Sequence, residues 1–274
     1  DITTSVGSSL PATSSWTVTV TEPLPEDVIE GNGCMHVWDS VNLPRTGQTT
    51  SFYAGDDGDI RAGVAWPSPR FTDNGDGTVT DQLTGLIWLK DADCLGSSDW
   101  STALSNVADF NDNPETYSCT DYDTENPKDD WRLPNVHELE SLTTPTELYN
   151  ATWLNGQGFV SVRNNWYWSS SYYRNSSTDL RWAVKMSDGR PSRDPHATGP
   201  LYWVWPVRGG QKGYADPNYP SNIPATGQTY GVAGSDGYLQ MGVGWPPNRF
   251  LDNDDGTVTD RVTGLIWLKD ARCF

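Results

Sequence analysis

Two stretches of this chain are nearly the same sequence, and that repeat restricts the fold more than any other feature. Phe71 to Cys94 reads FTDNGDGTVTDQLTGLIWLKDADC and Phe250 to Cys273 reads FLDNDDGTVTDRVTGLIWLKDARC, with 19 of 24 positions identical. The match begins earlier, at LPRTGQT from Leu43 against IPATGQT from Ile223. The first copy runs on to Trp205-Pro206-Val207-Arg208-Gly209-Gly210, whereas the second reaches Cys273 and Phe274. A unit holding only that much of the repeat sends one strand into a core and lacks the rest. The expectation is either a truncated product or a half-unit that another chain completes.

At 274 residues the chain is long enough for one or two domains. Only 35% of residues are hydrophobic, yet there are 14 Trp and 12 Tyr, so a few large rings must carry much of the core. With 26 Gly and 19 Pro, turns are frequent and elements short, which points to a loop-rich α+β or all-β fold over a helical bundle. A net charge of −18 excludes DNA and RNA as natural partners, because phosphate binding needs clustered Lys and Arg. That charge fits solubility outside the cell or cation binding. No segment approaches the roughly 20 apolar residues that span a bilayer. The first residue is Asp1, consistent with a removed export signal, and four cysteines fit an oxidising compartment, so a secreted or cell-surface location is expected. Asn150-Ala-Thr and Asn175-Ser-Ser are glycosylation sequons.

Along the chain, residues 1–42 read as an N-terminal arm with one β-strand, Trp16-Thr-Val-Thr-Val-Thr, in which Trp16, Val18 and Val20 alternate with threonine. Such threonine-rich strands are often edge elements that seek a partner. Residues 43–211 form a complete domain, 212–222 a Gly/Pro/Asn linker, and 223–274 a half-repeat that needs completion. Asn74-Gly-Asp-Gly77 is a strong hairpin turn, followed by a return strand and the buried strand Leu86-Ile-Trp-Leu89. Ser98 is placed to cap a helix whose apolar face is Trp100, Ala103, Leu104, Val107 and Ala108. Asn135 and Glu138 form a capping box for a second helix carrying Val136, Leu139 and Leu142. Further strands are expected at Trp166–Trp168, Leu180–Met186 and Tyr202–Val207, with a hairpin turn at Ser187–Arg190.

The order of motifs is specific. FTDNGDGTVTDQLTGLIWLKDADC is followed by DWRLPNVHELESL from Asp130, YWSSS from Tyr167, WAVKMSDGR from Trp182 and YWVWPVRGG from Tyr202. This series resembles the C-terminal domain family of the Legionella collagen-like adhesin, as one full copy over about residues 43–211 and a partial copy over 223–274. The resemblance implies an α+β, C-type-lectin-like domain of short strands with two helices, related in fold to formylglycine-generating enzymes. It also implies a surface or secreted binding module, and the family adhesin binds sulfated polysaccharide. In this family Cys94 and Cys119 stand where a cysteine pair is often found, so a disulfide across the first helix is expected. Cys273 occupies the place of Cys94 in the second copy, and Cys34 is the remaining cysteine. These two pair with each other, within one chain or between neighbours, or stay as two free thiols.

Three further constellations carry alternatives. Asp73 and Asp76 in the first acidic turn, and Asp252, Asp254 and Asp255 in the second, resemble the start of a calcium loop, although the Glu that completes that motif is missing; a plain hairpin turn is the simpler reading. Tyr172 and Tyr173 read as part of a polar loop and, with Trp182, are candidates for stacking on sugar, while Trp166 and Trp168 fit a core. Catalysis has little support: His36, His137 and His196 are scattered, and no nucleophile elbow or HExxH is present. The expected function is an extracellular structural subunit and not an enzyme. Copies join head to tail into a filament when the N-terminal arm of a neighbour pairs with the half-repeat and covers Val258, Leu265, Ile266, Trp267 and Leu268. The alternative is a lectin-like surface adhesin that binds polysaccharide.

Overall fold

The computed structural model describes residues 40–175, 178–194 and 201–273, within the compact unit Trp38–Phe274. The expected arm strand with Trp16, Val18 and Val20, together with Cys34, lies outside the described residues. What is described is mixed α+β, with short helices set among several small sheets. No described helix is long and apolar enough to cross a membrane.

The first copy opens with a leading segment, residues 43–70, that contains the one-turn helix α1 (Asp57–Ile60). Strands β1 (Phe71–Asp73), β2 (Thr78–Asp81) and β3 (Leu86–Leu89) follow as an antiparallel meander. Next come β4 (Ser97–Ser98), α2 (Trp100–Asp112), α3 (Val136–Ser141) and α4 (Asn150–Asn155). The copy ends with β5 (Trp166–Asn175), β6 (Thr178–Lys185), β7 (Pro191–Asp194), β8 (Tyr202–Trp203) and β9 (Val207–Gly209). One sheet has the order β1-β2-β3-β9 and the other β4-β8-β5-β6-β7. The last strand thus returns to close the edge of the first hairpin, pairing Leu86 with Gly209 and Trp88 with Val207.

The core is aromatic, as the composition requires. Trp205 lies at its centre, with ring centroids 5.4 Å from Trp88, 5.2 Å from Phe159 and 5.4 Å from Tyr167. Burying an indole also buries an N–H, and three of these find backbone carbonyls. Trp205 Nε1 donates to Leu89 O at 2.7 Å, Trp168 Nε1 to Ser98 O at 2.8 Å and Trp100 Nε1 to Ser169 O at 2.7 Å. These bonds tie α2 to β5, β5 to β4, and the segment between β8 and β9 to β3.

The capping box of α3 is present as expected. Asn135 Oδ1 accepts from Glu138 N at 3.0 Å, and Glu138 Oε2 accepts from Asn135 N at 2.8 Å. Arg132 grips the same carboxylate with two 2.7 Å bonds and donates to Gly209 O at 3.1 Å, which locks α3 to the closing strand. Two local expectations are corrected. Asp99, not Ser98, caps α2, because Ser98 is spent in β4 and the longer Asp side chain reaches Thr102 N at 2.9 Å. On α2 itself Ala108 is exposed and Phe110 takes the buried place, one turn beyond Val107.

The second copy repeats the first in detail. After β10 (Lys212–Gly213) a second leading segment, residues 223–249, holds the one-turn helix α5 (Asp236–Leu239) and β11 (Gly242–Val243), which pairs parallel with β10. A three-stranded meander follows, β12 (Phe250–Asp252), β13 (Thr257–Asp260) and β14 (Ile266–Leu268). Its register copies that of the first, with Phe250 opposite Asp260 and Thr257 opposite Leu268, as Phe71 faces Asp81 and Thr78 faces Leu89. Arg249 holds Asp260 through two 2.8 Å bonds, the counterpart of Arg70 on Asp81. The guanidinium beside Asp260 keeps that carboxyl below the usual carboxylate range. The two copies are also laced together: Val41 N donates to Val262 O at 2.6 Å, and Ser221 N donates to Leu83 O at 3.0 Å. Leu83 and Val262 are equivalent positions, as are Val41 and Ser221, so each copy's beginning is bonded to the other copy's meander.

Candidate functional site

The largest difference between the copies lies on the third strand of each meander. Leu86, Trp88 and Leu89 are 0% exposed, whereas Leu265, Ile266, Trp267 and Leu268 are 41%, 63%, 56% and 51% exposed. Sequence cannot account for this, since LIWL is common to both. The cause is position. β3 has β9 on its outer edge and the helices and second sheet over its face, while β14 is the edge of its sheet among the described residues. Phe250 and Leu251 on β12 are exposed too, and Val258 on β13 is only half-buried. Four adjacent apolar side chains on an open β-edge are a ready-made pairing template. Cys273, just beyond them, is an exposed free thiol.

Cys94 and Cys119 form the expected disulfide, closing the segment that carries α2. The acidic turns are occupied by their own backbone and by lysine. Asp73 accepts from Gly75 N at 2.9 Å and pairs with Lys90 at 2.8 Å, and Lys90 also holds Asp121 at 2.7 Å. The lysine ammonium and that backbone N–H hold the Asp73 carboxyl below its ordinary range. Asp76 accepts from Thr78 N at 3.1 Å and from its hydroxyl. In the second copy Asp252 pairs with Lys269, and Asp255 accepts from Thr257 N at 2.9 Å. Asp254 stands where the first turn has Gly75, both with positive φ (59° and 76°), a conformation that Asp tolerates better than most residues. No three His, Cys, Asp or Glu side chains come together to hold a metal ion among the described residues.

Tyr172 and Tyr173 are not loop residues: both lie in β5 and point to opposite sides of it. Tyr172 is enclosed. Its ring packs edge-on against Trp100 at 5.0 Å, the buried Arg181 guanidinium lies 3.8 Å from it, and its backbone is taken up by Gln228. Tyr173 and Trp182 do come together, edge to face at 5.7 Å, half-buried, with Arg193 stacked 4.7 Å over Tyr173. At the other end of the strand Trp166 stacks on Tyr202 at 5.9 Å beneath Lys185 and Arg190, and Arg163 lies 5.2 Å over Trp203. In a chain of net charge −18 the second sheet thus sets Arg181, Lys185 and Arg193 against aromatic rings. Period-2 patterning marks the rings, but pairing of arginine with them depends on β7, whose register the sequence does not disclose.

The joint between the copies is a further feature that sequence reasoning missed. Gln228 Oε1 accepts from Tyr172 N at 2.9 Å while its Nε2 donates to Tyr172 O at 2.8 Å, as a strand neighbour would. Asp236 is 2% exposed and accepts from Ser171 Oγ at 2.7 Å and Thr226 Oγ1 at 2.6 Å. Burial pushes its carboxyl up, with the carboxylate of Glu138 adding to the rise and His137 opposing it. A group whose pKa is raised on folding stabilises the fold below its unfolded value, and that contribution is lost as pH rises through the folded value. As pH rises above about 4, the unfolded carboxyl value, Asp236→Asn should therefore gain stability relative to the parent. Thermal unfolding at a series of pH values measures this, and a constant difference would show that Asp236 does not titrate on folding.

The described residues thus form a disulfide-closed α+β domain with ring-bound cations on one sheet and an open apolar edge on another. Residues 77–208 match the sequence model of the Lcl C-terminal domain family, and the resemblance to the C-terminal domain of the Legionella collagen-like protein holds over that stretch. Comparison with curated proteins finds no match.

Proposed function

We propose that the chain is an extracellular structural subunit of the adhesin-like class, and that copies join head to tail by strand addition at β14. One observation carries this reading: the exposure of Leu265, Trp267 and Leu268 where Leu86, Trp88 and Leu89 of the first copy are sealed. Covering such side chains is worth about 1.5–3 kcal/mol each. The occupant is the threonine-rich strand of a neighbour's N-terminal arm, where Trp16, Val18 and Val20 share one face, and the neighbour's Cys34 then bonds Cys273. Because such a contact joins two different surfaces, it propagates unless it closes into a ring. Negative-stain microscopy of the purified protein should show extended particles, and non-reducing electrophoresis a ladder that collapses to one band on reduction. A monomer in both measurements rules the reading out.

A second reading is favoured by the ring-bound cations: attachment to anionic polysaccharide along β5 to β8. Tyr173, Trp182 and Arg193 offer two rings for a sugar face and a guanidinium for a sulfate or carboxylate. Replacing both Trp182 and Arg193 by Ala should weaken binding to an immobilised sulfated polysaccharide by about tenfold or more, while binding of the parent falls with added salt. Unchanged binding in the double variant would locate the attachment elsewhere.

A further inference from the structure

Two segments of the chain are built alike but meet the first domain differently. Only the second grips the start of α3 and β5, while the first rests beyond the end of α3 and on α4, where Thr144 Oγ1 donates to Thr46 O at 2.7 Å and Trp66 lies 5.9 Å from Trp153. In the first, Trp66 Nε1 donates to Arg45 O at 2.8 Å; in the second, Trp245 Nε1 donates to Ala225 O at 2.7 Å. Parallel bridges join Pro44 to Val64 and Pro224 to Val243. Thr46 bonds Asp57 at the start of α1, as Thr226 bonds Asp236 at the start of α5. The second segment uses this frame to hold the first domain at the start of α3 and along β5. His137 Nδ1 donates to Pro224 O at 3.0 Å, Ser171 Oγ donates to Asp236, and Gln228 takes both backbone groups of Tyr172.

Each of those three gripping groups has its counterpart in the first segment: Pro44, Asp57 and Gln48. There they grip no helix start and no strand among the described residues. Gln48 turns its amide back to Thr50 O at 3.2 Å. The surface around them is apolar and open, with Phe52 75%, Tyr53 82% and Ile60 63% exposed. The α3–β5 face is held by the second segment alone, and the matching groups of the first, Pro44, Gln48 and Asp57, meet no such face among the described residues.

We propose that residues 44–60 are a docking surface for the helix-start and strand face of another domain of this family. The partner is recognised by the chemistry that the second segment already recognises: a His two residues beyond a helix-capping Asn, a strand hydroxyl, and the exposed backbone N–H and C=O of the next strand residue. Gln48 takes that backbone pair, Asp57 the hydroxyl and Pro44 O the imidazole N–H. The partner domain must have its own face uncovered, which a family domain followed by no such segment satisfies. This contact is separate from β14 and does not depend on it.

The test uses the full chain in two forms, both with Trp267→Lys so that β14 takes no part. The immobilised form has residues 44–60 intact. The form in solution carries Gln228→Ala and Asp236→Ala, which bare its α3–β5 face, and Gln48→Ala and Asp57→Ala, which stop it pairing with itself. Biolayer interferometry should show capture of the bared form, weakened about tenfold or more when the immobilised chain also carries Gln48→Ala and Asp57→Ala. It should also show about tenfold weaker capture of a form whose face stays covered. No capture of a bared form that keeps a cooperative melting transition overturns the proposal, as does capture indifferent to Gln48 and Asp57. Should the bared form lose its transition, Gln228→Ala without Asp236→Ala bares the face more gently and is read by the same two outcomes.

Discussion

Trp88→Ala and Trp267→Ala, the same substitution at equivalent places, should have opposite consequences. Trp88 is 0% exposed and packs 5.4 Å from Trp205, so its removal leaves a cavity where the two sheets and helices meet. Large-to-small changes of this kind cost about 3–5 kcal/mol, a large share of the total for a domain. Trp267 is 56% exposed, so the isolated chain should lose at most about 0.5 kcal/mol. Its loss appears instead in assembly, as shorter particles or none. Urea unfolding and sedimentation velocity on both variants read the two effects separately. If Trp267→Ala destabilised the monomer as much as Trp88→Ala, the open edge would already be covered within one chain, and the assembly reading would fall.

Arg132→Ala should be among the most damaging single changes of a charged residue. Glu138 is 1% exposed, and its two oxygens are satisfied by two guanidinium nitrogens and the Asn135 N–H. Removing the arginine leaves a buried carboxylate with only that N–H, and breaking a buried pair from one side costs about 3–5 kcal/mol. The Arg132 bond to Gly209 O is lost as well, so β9 should loosen along with the cap of α3. Arg249→Ala offers the comparison. Its pair with Asp260 has the same two-bond geometry but keeps the arginine side chain 24% exposed, and the expected loss is about 1 kcal/mol. Equal losses in equilibrium unfolding would mean that burial is not what makes the first pair matter.

Local chemistry was legible in the sequence, and long-range pairing was not. The acidic Asn-Gly and Asp-Asp turns, the capping box at Asn135 and the buried LIWL strand follow from residues within a few positions of one another. The cap of α2 was misplaced by one residue because Ser98 and Asp99 are both good caps, and the choice between them is made by β4 pairing with β8, a strand about a hundred positions away. Tyr172 and Tyr173 sit in a run of Ser, Asn and Tyr that resembles a loop, yet β6 pairs with it and makes it a strand. Gln228 and Asp236 carried no signal because a glutamine and an aspartate in a Gly-rich stretch normally face water. Their roles arise only when Ser171 and Tyr172 are brought against them. The different fates of the two LIWL strands lie wholly outside those four residues.

The crossed bonds at Val41 and Ser221 bear on how a surface protein of this kind would meet force. A pull entering the described structure through residue 40 reaches Val262 at once, by way of the Val41 bond, and Ser221 Oγ bonded to Asn42 O holds the two beginnings side by side. Tension is then shared between the second meander and the covalent path into the first copy. Flow or traction would thus load the small sheet that carries the open edge together with the larger domain, which holds the disulfide.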